Sequence, residues 1–250
     1  MGLDVHCTFA QSILTYNFKK GKMKNSTPTT VSVIGLGNVG KAIATNLALG
    51  QHPVIVASRD FRKAKDFADT ISESVIAKEI TEAMKEADVI IPAIGFSDIK
   101  EFLTEYASEL SDKIIIDVSN PIVPDGKGGF KKVIGEHESA AKVLSGLILH
   151  GAKLVKAFGT LGVGTLKSAA FDQSERKTLF YATDSTNSQP QIEELILDSG
   201  FEPLHIGGID QSIRIEVFGD LHEFGNLGKA VSLAEAKIAT AQSKHQIANA

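Results

Sequence analysis

Cysteine is almost missing from this sequence, and its scarcity excludes two kinds of stabilisation. The 250 residues contain one cysteine, Cys7, which cannot form an internal disulfide. Without a cluster of thiols there is also no sulfur-based metal site, and we expect no metal centre of another kind. The composition favours a reducing compartment, so we predict a cytoplasmic protein.

An excess of positive charge and long apolar runs are also lacking. The formal net charge of -4 argues against a general nucleic-acid binder, because such proteins usually carry a basic face. No apolar run reaches the roughly 18 residues that a membrane helix needs. A hydrophobic share of 43% and a charged share of 22% are ordinary for a globular protein. We therefore expect a soluble protein with neither a nucleic-acid nor a membrane partner.

The first 28 residues differ from the rest in composition. Four lysines, Lys19, Lys20, Lys22 and Lys24, precede a polar run from Asn25 to Thr30. This bias predicts a disordered N-terminal extension. An alternative is that Met23 is the true start, because the residues that follow it lead directly into the first predicted strand.

From Val31 onward, short β-rich runs alternate with helical patterns, which is typical of a parallel sheet with crossover helices. The predicted strands are Val31–Ile34, Val54–Ala57, Ser74–Ala77, Val89–Ile91, Ile114–Asp117, Leu154–Ala157, Leu179–Ala182 and Pro203–Ile206. The predicted helices are Val39–Leu49, Phe61–Ile71, Ile80–Lys85, Asp98–Glu109, Glu138–Leu149, Pro190–Leu197 and a mostly helical stretch from Asp210 to about Gln246, with Gly219, Gly225 and Gly228 as expected interruptions. The connection from Val118 to His137 is predicted to be a long loop.

These elements predict an α/β fold with a Rossmann-type doubly wound parallel sheet. We expect a dinucleotide-binding domain over residues 29–151. A smaller C-terminal α/β domain over residues 152–250 would end in the long helical segment and complete the acceptor cleft.

A glycine motif follows the first predicted strand and opens the first helix. It consists of Gly35, Leu36, Gly37, Asn38, Val39 and Gly40, in the pattern G-x-G-x-x-G. In this context the first glycine allows a tight turn, the second lets the backbone approach a pyrophosphate, and the third lets helix and strand pack closely. The helix N-terminus would supply free N–H groups for the phosphates.

The end of the second strand indicates which dinucleotide is bound. Enzymes that use NAD place an acidic residue about 20 positions after the glycines to hold the ribose hydroxyls. Here Ser58 and Arg59 occupy that place, and an arginine can clamp a 2′-phosphate with two parallel hydrogen bonds. Lys63 could add a third contact from the same helix face. The sequence therefore favours NADP(H), with Asp60 as a ribose ligand for NAD as the alternative.

Five segments together resemble the F420-dependent NADP oxidoreductases and the bacterial dinucleotide-binding reductases related to them. They are Val-Ile-Gly-Leu-Gly-Asn-Val-Gly, Ala-Ser-Arg-Asp, Asp-Val-Ser-Asn-Pro, Val-Lys-Ala-Phe-Gly-Thr-Leu and Asp-Ser-Gly-Phe-Glu-Pro-Leu. The resemblance implies that Ser58, Arg59 and Lys63 hold the 2′-phosphate. This sequence departs from the family at Gly159, because some family members carry asparagine at this position of the Lys-Ala-Phe-Gly-Thr-Leu segment. The side-chain amide that they place near the nicotinamide is therefore missing at position 159.

The resemblance also assigns the loops around the two reacting rings. It places a loop after the fourth predicted strand beside the cofactor, with Ile94, Gly95 and Phe96. It places Thr160, Leu161 and Val163 by the nicotinamide. The substrate residues that it implies border the acceptor ring: Ser119, Asn120, Pro121, Ile122 and Val123.

The function that these features predict is hydride transfer between NADPH and a flavin-like or deazaflavin acceptor of the F420 type. Such a transfer needs neither a nucleophile nor a metal, and no catalytic side chain is predicted. Of the histidines, His137 and His222 are the two that could approach the cleft, His222 with Glu223 on the late helix. Two alternatives are reduction of a small imine or carbonyl compound and a non-catalytic NADPH sensor. A homodimer is left open.

Overall fold

The computed structural model describes residues 28–148 and 151–247, so the predicted N-terminal extension and Cys7 lie outside the described residues, apart from residue 28. The strands are β1 (Val31–Ile34), β2 (Val54–Ala57), β3 (Val75–Ala77), β4 (Val89–Pro92), β5 (Ile114–Asp117), β6 (Ile122–Pro124), β7 (Phe130–Lys132), β8 (Lys153–Lys156), β9 (Thr178–Thr183) and β10 (Glu202–His205). The α-helices are α1 (Asn38–Leu49), α2 (Phe61–Ile71), α3 (Ile80–Glu86), α4 (Phe96–Glu105), α5 (Ala140–Ser145), α6 (Val163–Ser168), α7 (Gln189–Asp198) and α8 (Leu233–Ile247).

Eight of these strands form one sheet in the order β10-β9-β8-β5-β4-β1-β2-β3. The six strands from β8 to β3 are parallel to one another, as predicted. The sequence did not predict that β9 is antiparallel to β8, with β10 parallel to β9. The fold is therefore a Rossmann-like sheet, mostly parallel, with the last two strands reversed.

Helices cover the sheet on both faces, and alternate strand residues supply the two core layers. Val31 and Val33 point into one layer, which α1 and α7 complete. Ile34 points into the other layer, which contains residues of α3, α4 and α5. The apolar runs of the central strands lack polar alternation because both faces of these strands are buried.

The predicted loop from Val118 to His137 contains a β-hairpin. Strands β6 and β7 pair antiparallel, with Ile122 opposite Lys132. The helix that follows is shorter than the predicted Glu138–Leu149. It begins at Ala140, because the Ser139 hydroxyl caps it by accepting a hydrogen bond from the Lys142 amide at 3.1 Å.

The mostly helical stretch predicted from Asp210 to Gln246 is wrong in its middle part. A 3₁₀ helix covers Ile209–Ile215, residues 216–232 are irregular, and α8 begins at Leu233. We call residues 216–225 the late turn. A β-carbon on Gly219 would overlap the Ile213 and Arg214 carbonyl oxygens, and one on Gly225 would overlap the Gly219 carbonyl oxygen. The glycines thus permit a tight turn instead of a helix.

The sheet continues across the predicted domain boundary near residue 151. Strand β8 pairs with β5 over four residues, from Ile114 opposite Lys153 to Asp117 opposite Lys156. The division into domains at residues 29–151 and 152–250 stays a prediction. Within the described ranges, no helix combines the length and the apolar character that crossing a membrane requires.

Candidate cofactor and acceptor site

The glycine motif forms the connection between β1 and α1. Gly35 has a φ of +100°, a conformation that side chains rarely adopt, and its amide donates to the Ala57 carbonyl at 2.9 Å. A β-carbon on Gly35 would lie 2.6 Å from the Ala93 carbonyl oxygen, and one on Gly40 would overlap the Gly35 carbonyl oxygen. The first and third glycines therefore allow a turn and a close packing that no other residue would permit.

Gly37, in contrast to Gly35 and Gly40, is not packed against other atoms of the protein. It is exposed, it forms the N-cap of α1, and a β-carbon on it would meet no atom within 4 Å. The next residues, Asn38 and Val39, contribute backbone N–H groups at the start of a 12-residue helix whose first turn has no acidic residue. An open approach to helix N–H groups is the feature that suits a phosphate.

Basic side chains stand where β2 ends. Arg59 and Lys63 are exposed, and neither forms an ion pair within the described part of the chain. Asp60, in contrast, is used by helix α2: its Oδ1 accepts the Arg62 amide at 3.1 Å, and the Arg62 Nε lies 3.6 Å from the same oxygen. Ser58 is half-buried between them and the sheet.

The connection from β4 to α4 packs against the glycine motif. The Ala93 amide donates to the Ile34 carbonyl at 2.7 Å, and Gly95 is the N-cap of α4. Ile94 lies close to Gly35, since its Cγ2 would be 2.8 Å from a β-carbon there. Phe96 is 8% exposed and belongs to the core layer beneath α4, with Lys100 Nζ 5.2 Å from its ring centroid. Contact of Phe96 with a cofactor stays a prediction.

A buried ionic cluster lies at the carboxyl ends of β5 and β8. The Lys156 ammonium donates to Asp117 Oδ2 at 2.8 Å and also to the Ser119 carbonyl, and Glu216 Oε1 is 3.6 Å away. None of the three charged side chains is more than 2% exposed. Burial raises the pKa of Glu216, while the Lys156 charge and two backbone donors, Ala140 and Ala141, oppose this rise. The cluster ties both strands to α5 and the late turn.

The predicted acceptor loop is anchored by its own side chains. The Ser119 hydroxyl and amide both donate to Asp117 Oδ1, at 2.7 and 2.8 Å. Asn120 donates through Nδ2 to the Gly159 carbonyl at 3.1 Å and accepts the Val217 amide on Oδ1 at 2.7 Å. The amide nitrogen of Asn120 would lie 3.7 Å from a β-carbon at position 159, so a side-chain amide does reach the place where family members have asparagine.

The segment from Gly159 to Val163, predicted to lie by the nicotinamide, is held by the late turn. The Glu223 amide donates to the Thr160 carbonyl at 3.2 Å, and the Gly162 amide donates to the Glu223 carboxylate. Among the described residues, the Thr160 hydroxyl is buried without a hydrogen-bond partner, as are the hydroxyls of Ser32 in β1 and Thr178 in β9. Of the three, the Thr160 hydroxyl lies in the segment assigned to the nicotinamide, where a ligand could complete it.

His222 reaches this site from the late turn rather than from the predicted helix. Its Nδ1 accepts the Phe224 amide at 3.0 Å, so its Nε2 carries the proton and donates to the Gly159 carbonyl at 2.9 Å. Burial lowers the pKa of His222 to about 4. The ring is therefore neutral near pH 7 and has no free proton to give. His137, the other histidine singled out, is exposed beyond the hairpin.

A further histidine, His52, lies in a buried group with Glu194 and Asp198, whose ligand atoms are within 4.8 Å of one another. Its Nε2 is 2.8 Å from the Thr29 carbonyl, which can only accept, and its Nδ1 is 2.8 Å from Asp198 Oδ2. Both ring nitrogens are thus engaged by the protein. The group connects the start of the described chain to α7.

The loops that the sequence assigns to the site follow β1, β2, β4, β5 and β8, and the carboxyl ends of parallel strands share one edge of the sheet; their contact with a ligand stays a prediction. Sequence reasoning assigned no role to Asp117, Lys156 or Glu216. Asp117 closes the apolar run Ile-Ile-Ile-Asp, and Lys156 interrupts the apolar strand Leu-Val-Lys-Ala-Phe. A charge inside such a run is the signal that predicts a buried ion pair, but neither pattern identifies Glu216 as the third partner.

Comparison with known proteins gives a family match over 92 of the 250 residues. Residues 30–121 match the model of the family described as NADP oxidoreductase, coenzyme F420-dependent. The rat metalloreductase STEAP3 is 24% identical over 186 residues, which are 74% of this chain and 35% of the rat protein. The chain spans about a third of the length of the curated relatives that it matches first.

Two solved structures resemble the whole fold. A hypothetical protein from Sinorhizobium meliloti is 27% identical, with a TM-score of 0.71 over 86% of this chain and 98% of that one. A proposed F420-dependent NADP reductase from an Arthrobacter strain is 17% identical, with a TM-score of 0.62 over 73% of this chain and 86% of that one. The second likeness shows the fold alone.

Proposed function

We propose that this chain is an oxidoreductase that passes hydride between NADPH and a planar acceptor of the flavin or deazaflavin (F420) type. The match of residues 30–121 to the model of the coenzyme F420-dependent NADP oxidoreductases supports the proposal. The observation that carries it is the open N-terminus of α1 at Gly37, followed one strand later by the exposed Arg59, which has no ion-pair partner among the described residues. The first feature suits a pyrophosphate and the second a 2′-phosphate.

The phosphate end of NADP(H) fits the residues that are present. The backbone of Gly37, Asn38 and Val39 would hold the pyrophosphate, with Leu36 beside it. Ser58, Arg59 and Lys63 would hold the 2′-phosphate. Asp60 is engaged in capping α2, which favours Arg59 over Asp60 as the residue that selects the cofactor.

The nicotinamide end would lie between the connection after β4, with Ile94, Gly95 and Phe96, and the segment with Thr160, Leu161 and Val163. The unpaired Thr160 hydroxyl supports this, because the carboxamide of a nicotinamide is a partner for it. When bound, NADPH supplies a hydride and becomes NADP⁺. The protein's part is orientation, since the neutral His222 is already hydrogen-bonded at both nitrogens.

The acceptor would lie across the cleft, against the loop and hairpin that hold Ser119, Asn120, Pro121, Ile122 and Val123. Val123 is 38% exposed on β6, so it offers apolar surface to a ring. Ligands of open α/β sheets bind beyond the carboxyl ends of the strands, where these residues lie. In this proposal residues 152–250 complete the acceptor side of the cleft.

The first experiment tests the cofactor. Arg59→Ala should weaken NADPH binding by about 1.5 to 3 kcal/mol, the range for a hydrogen bond to a charged group, and leave NADH binding nearly unchanged. Affinities can be measured by fluorescence titration of the reduced dinucleotides. Arg62→Ala is the matched control, because Arg62 is the neighbouring exposed arginine that faces Asp60. Equal losses for NADPH and NADH would contradict the assignment.

The acceptor is tested by stopped-flow oxidation of NADPH with F420, FMN, FAD, quinones and cyclic imines. Rapid oxidation by F420 or a flavin is the expected result. Oxidation by imines alone would instead support the imine or carbonyl reductase that the sequence left open. Tight NADPH binding without oxidation by any compound would support a sensor.

A further inference from the structure

The late turn exposes two phenylalanine side chains at the edge of the proposed cleft. Phe218 is 53% exposed and Phe224 is 62% exposed. A single exposed apolar side chain is ordinary in soluble proteins. These two differ from a single exposed side chain in how the backbone holds them and in what they contact.

Phe218 has a φ of +74°, in the left-handed region that a bulky side chain rarely adopts. The surrounding contacts enforce this conformation. The Val217 amide is bound by Asn120 at 2.7 Å, the Leu221 amide by the Arg214 carbonyl at 2.8 Å, and the next residue, Gly219, packs on the 3₁₀ helix. Phe158 and Phe171 also have a positive φ, but Phe158 is buried and Phe171 is half-buried, so Phe218 differs from them in its exposure. A strained conformation that holds an aromatic ring in solvent supports a functional position.

Phe224 lies directly on the segment assigned to the nicotinamide. A β-carbon on Gly162 would be 2.7 Å from Phe224 Cζ, and the ring centroid of Phe224 is 5.4 Å from that of His222. One edge of the ring is thus fixed against Gly162 and His222, while most of its surface stays free. The backbones at Phe218 and Gly225 are also in contact, which keeps the two phenylalanines on one turn.

We propose that Phe218 and Phe224 form an aromatic wall that contacts the planar ring of the hydride acceptor and selects for acceptors of that shape. The proposal rests on the proposed function, because it places this wall at the same cleft. Aromatic faces attract other planar rings in offset or edge-to-face contact, whereas they give a small imine or carbonyl compound little to pack on. The wall adds selectivity from the C-terminal part of the chain, where no sequence motif indicates it.

The test measures ring binding without turnover. F420 and FMN are titrated by their own fluorescence into the protein saturated with NADP⁺, and NADPH is titrated separately. Phe224→Ala and Phe218→Ala should each weaken F420 or FMN binding about tenfold, which is about 1.4 kcal/mol. Phe224→Tyr should stay within about twofold of the wild type, because it keeps the ring. NADPH affinity should be unchanged in Phe218→Ala, and in Phe224→Ala, whose ring lies on Gly162, any change in NADPH affinity should be smaller than the loss of F420 or FMN binding.

Leu49→Ala is the control, because Leu49 is also exposed, at 66%, but lies at the far end of α1 from the glycine motif. It should change neither affinity. The proposal is overturned, with the proposed function intact, if the wild type binds F420 or FMN and both alanine variants bind them equally well. A wild-type chain that binds neither ring would overturn the proposed acceptor class together with the wall, while NADPH selection by Arg59 would stand. Self-association that the alanine variants abolish, with unchanged ring binding, would also overturn it and indicate that a second copy covers the wall.

Discussion

The two sides of the proposed cleft are built in opposite ways. The side after β1 and β2 is made from backbone, with an open helix N-terminus at Gly37 and exposed basic side chains that have no ion-pair partner in the described chain. The side after β5 and β8 is made from buried side chains, with Lys156, Asp117 and Glu216 shielded from water. The first side keeps its groups available for a ligand, whereas the second uses its groups to hold loops in place.

This difference predicts which substitutions should affect the stability of the fold and which should affect cofactor binding. Charges in the interior are costly when they lose a partner, while exposed charges contribute little to stability. We therefore expect changes at the β5–β8 side to reduce the free energy of unfolding. Changes at the glycine motif should instead reduce cofactor affinity in a protein that still folds.

The largest effect is expected from Lys156→Met. It removes the cation between Asp117 and Glu216 and leaves two buried carboxylates unpaired, which should lower the free energy of unfolding by about 3 to 5 kcal/mol. Urea denaturation measures the change. The double variant Lys156→Met, Asp117→Asn should recover part of the loss, because it removes one of the unpaired charges. A loss below about 1 kcal/mol in the single variant would mean that the cluster does not control stability.

A smaller effect should appear as a pH dependence of stability due to His222. The pKa of His222 is about 4 in the folded protein, whereas an unperturbed histidine has a pKa of 6.5. Between pH 4 and pH 6.5 the unfolded chain therefore binds a proton at His222 that the folded chain does not. The contribution of the neutral ring is complete above pH 6.5 and is lost as the pH falls toward 4. The loss should amount to about 3 kcal/mol. His222→Gln, which can still donate to Gly159, should lack this part of the curve when the two profiles are subtracted, and identical profiles would contradict the assignment.

The smallest effect on folding is expected at Gly37. Gly37→Val places its side chain in open space, so the free energy of unfolding should change by less than about 1 kcal/mol while binding of both NADPH and NADH is lost. Gly40→Ala is the informative contrast, because its methyl group would overlap the Gly35 carbonyl oxygen and should destabilise the fold itself. Retained NADPH affinity in Gly37→Val would show that the motif is only a turn.

The strand, turn and helix that carry the first side of the proposed cleft could be predicted from the sequence, because they depend on local patterns; the binding roles of their residues stay predictions. The spacing of Gly35, Gly37 and Gly40 and the position of Arg59 after a strand are readable within 25 residues of chain. The strands β1, β2 and β5 were placed at their true bounds for a similar reason, since continuous apolar runs report burial on both faces.

The second side could not be predicted in the same way, because its contacts join distant parts of the chain. Glu216 meets Ala140 and Lys156, and His222 meets Gly159, and none of these pairings leaves a periodic signal. The sequence predicted interruptions of the late helix at Gly219, Gly225 and Gly228, but not that all of residues 216–232 are irregular, because the close packing of Gly219 and Gly225 depends on contacts with other parts of the chain. The antiparallel orientation of β9 could not be predicted either, since an apolar run indicates a buried strand but not whether it runs parallel or antiparallel to its neighbour.

That reversal brings the end of one strand back to the buried lysine. Because β9 runs against β8, its last residue, Thr183, lies opposite Val155, one residue before Lys156. The Thr183 amide donates to the Gly207 carbonyl at 3.0 Å, so the 3₁₀ helix Ile209–Ile215 starts close to that point and brings Glu216 Oε1 to 3.6 Å from the lysine. Inserting or deleting one residue in this helix would shift the Glu216 carboxylate relative to Lys156 by about 2 Å, and would displace the late turn by the same step.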